Sequence, residues 1–163
     1  MINLKKKNYP QILFILSFLI LTSALIIEYV FGYQPCNLCL IERIPYGFSI
    51  IILSLNFFFK KNQVFYSVLL MLIFSFSTII SIYHLGIEQG LFVESSICTS
   101  QNLDLITKEQ VLNSLKELNI SCKNVAFKIF GLSLTTYNIL ASILMFVLSA
   151  KIYLLSQNYG NKK

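Results

Sequence analysis

The chain has 163 residues and a formal net charge of +6; 56% of its residues are hydrophobic and only 12% are charged. An ordinary soluble domain carries about 25% charged residues, so water cannot be the only solvent and lipid is expected around much of the surface. The basic residues follow a membrane-topology pattern, described below, and form no nucleic-acid footprint.

Lys5, Lys6 and Lys7 precede the first apolar run, Ile12 to Phe31, in which Glu28 is the only charge. The run is too long for the apolar part of a signal peptide, no small-residue cleavage motif follows, and more spans come after it. It reads as a retained first transmembrane helix.

The next uncharged run, Tyr46 to Phe59, covers only about 21 Å as a helix, against a hydrocarbon core of ~30 Å. The second helix is therefore expected to begin near Leu38 and to carry Glu42, Arg43 and Pro45 in its early turns. Pro45 either kinks those turns or starts the regular part. Val64 to Tyr83 holds no charge, and Leu132 to Leu155 holds only Lys151, near its far end; both are long enough to span.

These runs predict an all-α membrane protein with a single domain over 1–163. It is a four-transmembrane-helix bundle (approximately 12–31, 38–59, 64–83 and 132–155) with two periplasmic loops, approximately 32–37 and 86–131. In the long loop, Thr107 to Leu118 reads as a short amphipathic helix: Thr107 and Gln110 resemble a capping box, and Val111, Leu112, Leu115 and Leu118 share one face.

Orientation follows the placement of Lys and Arg. Lys5, Lys6, Lys7, Lys60, Lys61, Lys151, Lys162 and Lys163 fall on one side with no acid. On the other side Arg43, Lys108, Lys116, Lys123 and Lys128 are outnumbered by Glu42, Glu88, Glu94, Asp104, Glu109 and Glu117. Both termini are expected in the cytoplasm.

That topology puts Cys36, Cys39, Cys98 and Cys122 outside, in bacteria an oxidising compartment where disulfides persist. Of the three pairings four cysteines allow, the spacing favours Cys36 with Cys39 and Cys98 with Cys122. Zinc is disfavoured, because the second pair is widely separated and His84 is the only histidine. A Cys98–Cys122 bridge would close a long loop and stabilise by roughly 3 kcal/mol. A bridge across two residues closes almost no loop, so Cys36-x-x-Cys39 points instead to a tuned thiolate and a reversible bond. Arg43, four residues past Cys39 on a helix, shares its face. Its guanidinium would stabilise a Cys39 thiolate or hydrogen-bond a polar ligand at the membrane boundary.

A membrane dithiol that oxidises others must itself be reoxidised. Periplasmic disulfide donors reach about −120 mV, and nicotinamide is too reducing to take electrons from them. The chain has no glycine-rich dinucleotide loop and no histidine pair for haem. A quinone dissolved in the bilayer fits what remains.

Three segments carry a resemblance that spans nearly the whole chain: PCNLCLIERIPYG at Pro35 to Gly47, YHLGIEQG at Tyr83 to Gly90, and CKNVAFKIFGLSL at Cys122 to Leu134. In these the chain resembles the disulfide bond formation protein B family, the inner-membrane quinone-linked thiol oxidases. The resemblance implies that Cys36 and Cys39 face the quinone (ubiquinone or menaquinone), with Cys39 the thiolate against its ring and Arg43 beside it. Cys98 would form the mixed disulfide with a periplasmic thioredoxin-fold disulfide donor, and Cys122 would pass electrons to Cys36. His84 falls near a family histidine close to the quinone. Phe127 stands where the family often has tryptophan. The alternatives are a specialised paralogue serving one dedicated substrate and a non-catalytic membrane protein with structural disulfides. Glu28 and Glu88 receive no site role at this level.

Overall fold

The computed structural model describes residues 8–58, 63–93, 98, 122, 128–129 and 131–160. Four helices dominate: α1 (Tyr9–Tyr29), α2 (Asn37–Phe58), α3 (Gln63–Glu88) and α4 (Leu134–Gly160). All four are long and apolar enough to cross a membrane. The fold is an all-helical membrane bundle, apart from a short hairpin before α4. The predicted helix at Thr107 to Leu118, and Phe127, lie outside the described residues.

The helix boundaries depart from the apolar runs for local reasons. α1 begins at Tyr9, ahead of Ile12, because Pro10 fits the first turn, where its missing N–H has no helical partner. α2 begins at Asn37 and runs through Pro45, so the proline lies inside the helix and does not start it. α3 continues past Tyr83 to Glu88, which takes Glu88 out of the expected loop and puts it on the same helix as His84. It stops at Gly90, whose φ of 74° suits a residue without a Cβ. There the Leu91 N–H donates to the Gly86 carbonyl at 2.8 Å and the Gly90 N–H to Ile87 at 3.0 Å, the paired bonds of a Schellman cap.

α4 starts at Leu134, later than Leu132, because Leu132–Ser133 forms a strand paired antiparallel with Lys128–Ile129. Gly131, at φ 81°, turns the hairpin. The Ser133 hydroxyl accepts the Thr136 N–H at 3.4 Å, as an N-cap does, and so sets the helix start.

α3 packs most extensively on α4, and α1 on α2. Large apolar side chains such as Phe18, Leu19, Leu72, Phe76 and Leu140 point outward. Ser17, Ser49, Ser77, Ser81, Ser142 and Ser149 are buried. Small hydroxyl residues let membrane helices approach closely and bond across the gap. Ser49 lies 2.7 Å from Ser17, joining α2 to α1, and Ser77 lies 2.9 Å from Ser142, joining α3 to α4. Leu13, Tyr46, Leu53, Leu70, Phe74 and Met145 fill the apolar centre.

Candidate functional site

The site begins where the chain enters α2. The Cys36 carbonyl accepts the Leu40 N–H at 3.2 Å, and its sulfur accepts the Cys39 N–H at 3.3 Å. Cys36 is thus the N-cap of α2, with a sulfur doing what a serine oxygen usually does. Free N–H groups and the positive end of the helix dipole favour a thiolate there. One further turn brings Cys39 round, with its sulfur 2.9 Å from that of Cys36.

The segment between α3 and α4 returns both of its cysteines to this point. Cys36, Cys98 and Cys122 are all buried and share a cluster with Leu38 and Ile87. Cys122 hydrogen-bonds Cys36 on one side and Cys98 on the other. The four sulfurs therefore form a file in the order Cys98, Cys122, Cys36, Cys39; none is disulfide-bonded in the structure. Within the file, the hydrogen bond from Cys122, then that from Cys39 and the contact with His84, hold the Cys36 thiol far below the usual range. The Cys122 thiol is pushed up, first by its hydrogen bond to Cys36 and then by burial.

α3 brings His84 against the same sulfurs. Its Nε2 lies 3.5 Å from Cys36 Sγ, and its Nδ1 lies 3.0 Å from Glu42 Oε1 on α2. His84 is 1% exposed and Glu42 7%, so neither group relies on bulk water for solvation. Thr135 of α4 approaches Nδ1 at 3.3 Å and donates to Glu88 at 2.5 Å. Glu88 in turn stands 3.8 Å from His84 Nε2. Among the described residues, every buried side-chain polar atom has a hydrogen-bond partner.

Beside the sulfurs, α1, α2 and α4 line a half-open cavity of about 220 Å³. Ile20, Leu21 and Ile27 give it an apolar wall, and Cys39, Glu42, Arg43 and Tyr46 line it from α2. Thr135 and Asn138 complete it from α4. Arg43 is paired with Glu28 of α1 and also reaches the Ala24 carbonyl at 3.5 Å. Tyr46 donates to Asn138 Oδ1 at 2.6 Å; Asn138 donates to Ser81 at 2.8 Å. An apolar slot with a few fixed polar groups suits a flat, mostly apolar ligand carrying oxygen acceptors, as a quinone head is.

All six residues singled out from the sequence lie in this region. Cys36, Cys98 and Cys122 meet in one buried cluster; Cys39 and Arg43 share the cavity wall; His84 touches Cys36 but is not among the cavity-lining residues. Sequence reasoning missed Glu42, Thr135, Tyr46 and Asn138. Glu42 had a readable signal, since it is three residues past Cys39 and so on the same helical face. The α4 residues had none, because only the packing of α4 brings them near. Cys36, Cys39 and His84 also offer three donor atoms within 4.8 Å of one another, a set that sequence spacing did not suggest and that a soft metal ion could use.

The bundle and its sulfur file define a multi-pass membrane protein built for thiol–disulfide chemistry. The model of the family "Disulfide bond formation protein DsbB" matches residues 6–152. The chain belongs to that family, which makes it a membrane oxidoreductase of disulfide formation. It is similar to an uncharacterized protein of Rickettsia prowazekii (strain Madrid E), 35% identical over 153 residues, covering 88% of this chain and 87% of the relative. No solved structure matches the chain.

Proposed function

We propose that the protein reoxidises a periplasmic thioredoxin-fold dithiol protein and passes the electrons to a membrane quinone, ubiquinone or menaquinone. The observation that carries this reading is the unbroken sulfur file whose last member, Cys39, lines an apolar cavity together with Arg43. Each transfer along it is a thiolate attack on a disulfide sulfur. A partner thiolate attacks Cys98 and releases Cys122. Cys122 then attacks Cys36, next to it in the file, and releases Cys39 at the cavity; the partner's second thiolate displaces Cys98, and Cys98 attacks Cys122 and frees Cys36.

In this reading Cys36, Cys39, Cys98 and Cys122 are the catalytic residues. Arg43 binds a quinone oxygen and stabilises negative charge at Cys39. A quinone bound here supplies a two-electron acceptor. The protein's own part is to hold it between Ile20, Ile27 and Tyr46, exclude water and keep Cys39 against it. His84, expected at the quinone, acts one step back, on Cys36. The chain sits in the bacterial inner membrane with both termini cytoplasmic and the cysteines periplasmic.

The test is quinone reduction by a reduced thioredoxin-fold dithiol protein, with the purified protein in lipid nanodiscs. Wild type is expected to turn over, Cys39→Ser to lose turnover, and Arg43→Ala to use quinone poorly while its cysteines still pair. Full turnover by Cys39→Ser would overturn the electron path. Failure of wild type with either quinone would favour a protein whose bridges are only structural.

A further inference from the structure

We propose that Glu42 and His84 form a proton wire that carries the Cys36 proton to the quinone cavity, in parallel with the electron path through Cys39. The inference rests on the quinone reading above.

Two thiols that close a disulfide give up two electrons and two protons, and a quinone that becomes a hydroquinone takes up two of each. The Cys39 proton has no distance to cover, since Cys39 itself lines the cavity. The Cys36 proton is different. Cys36 is not among the cavity-lining residues and is 7% exposed, so bulk water is a poor acceptor for it. A route is nevertheless built. Cys36 Sγ meets His84 Nε2 at 3.5 Å, His84 Nδ1 meets Glu42 Oε1 at 3.0 Å, and Glu42 lines the cavity.

The direction follows from the hydrogen bonds. A Glu42 carboxylate accepts from Nδ1–H and leaves Nε2 unprotonated, facing the Cys36 thiol as a base. The Cys36 proton passes to Nε2 first, giving a thiolate beside an imidazolium, and the Cys36–Cys39 bond then forms. The Nδ1 proton passes to Glu42, which delivers it to a quinone oxygen. The disulfide and hydroquinone are then complete and His84 is neutral again, with its proton now on Nε2. The tautomer resets in the next cycle, when Cys36 is released as a thiolate and takes up the Nε2 proton while Nδ1 takes up a proton given up by the reduced partner. The other groups facing His84 are Cys39 of α2, Glu88 of α3 and Thr135 of α4. Thr135 already donates to Glu88, and Glu88 is not among the cavity-lining residues. A proton taken up by Glu88 would reach the quinone only through a further relay, the Thr135 hydroxyl.

Two readouts test the wire. In steady state, Glu42→Gln is expected to lower kcat for quinone reduction about a hundredfold, with KM for quinone within about twofold and an enlarged solvent isotope effect. Glu42→Asp should recover much of the rate. In the fully reduced, quinone-free protein, Glu42→Gln should move the pH profile of Cys36 alkylation upward, because the imidazolium beside the thiolate loses its counter-charge. A merely structural Glu42 would change neither the isotope effect nor that profile. If wild type reduces quinone and Glu42→Gln matches it in kcat and alkylation profile, the wire is wrong and the electron path stands. If wild type reduces no quinone, the reading beneath it fails first.

Discussion

Arg43 on α2 is held by Glu28 on α1, an ion pair that ties two membrane helices together at the edge of the candidate quinone cavity. Glu28 is the only charge in its apolar run, and an intramembrane carboxylate of this kind is costly unless it is paired. The pairing gives the carboxylate a reason to be there and fixes the direction of the guanidinium. Charge-assisted hydrogen bonds of this type contribute roughly 1.5–3 kcal/mol, and both side chains are about a fifth exposed, which favours the lower end. Glu28→Gln is expected to raise KM for quinone by about tenfold or less, through a freer Arg43, with kcat little changed. Arg43→Ala should raise KM further. Steady-state quinone titrations check this, and an unchanged KM in Glu28→Gln would mean that the pair is structural only.

The sulfur file makes an ordered prediction. In oxidised Cys39→Ser the Cys36 thiolate has lost its partner, so it should attack the Cys98–Cys122 disulfide and become trapped joined to Cys122, with Cys98 released as the thiol. Cys98→Ser should fail earlier, with no mixed disulfide to the partner. Non-reducing mass spectrometry of the trapped species reads the difference. A Cys39→Ser protein that traps Cys98 with Cys36 would reverse the order of the middle sulfurs.

The lowered Cys36 thiol predicts an unusual pH dependence. A free cysteine, near 8.5, loses about tenfold in thiolate for each unit of pH below that value. Cys36 in the reduced protein should lose far less between pH 8 and pH 6, because Cys122, Cys39 and His84 hold its thiolate form. Burial slows its absolute rate at every pH, so the ratio of rates is the measurement. Linkage has the matching sign: a thiol depressed by folding contributes stability above its unfolded value and loses it only as pH falls through the folded one. Alkylation rates for Cys36 that drop tenfold per unit would refute this.

Gly86 and Gly90 shape the turn that leads from α3 toward Cys98. A Cβ at Gly86 would run into the Phe92 ring, and Phe92 stacks on Tyr83 at 5.6 Å. Phe92 is half exposed and can swing away, so Gly86→Ala is expected to cost about 1 kcal/mol, the scale of one aromatic pair. Gly90→Ala should cost about 1–2 kcal/mol, since alanine is strained at a positive φ. Thermal melts in detergent measure both. Phe92→Ala should make Gly86→Ala nearly silent, and a full Gly86→Ala penalty in that background would exclude the ring contact as its cause.

Much of this molecule was legible in the sequence. The four spans follow from uninterrupted apolar length, because a bilayer of fixed thickness leaves a backbone little choice but to form helices. Cys36-x-x-Cys39 and Arg43 were readable because helical periodicity alone places them together within one element. Even Glu42 stood on that face. Local chemistry moved the ends of the runs: the Gly90 cap lengthened α3, and the Ser133 N-cap with the Gly131 turn delayed α4.

The tertiary structure alone decided what lies across from those residues. His84 is 48 positions from Cys36, Thr135 is 51 from His84, and Asn138 is 92 from Tyr46. No periodicity connects such positions; they meet only because α3 packs on α2 and α4 packs on α3. The packing of α1 on α2 pairs Glu28 with Arg43. A sequence records the chemistry that each element carries. Which groups share a cavity depends on how the helices rotate and slide until their small polar residues bond across the gaps, and that is a property of the assembled bundle.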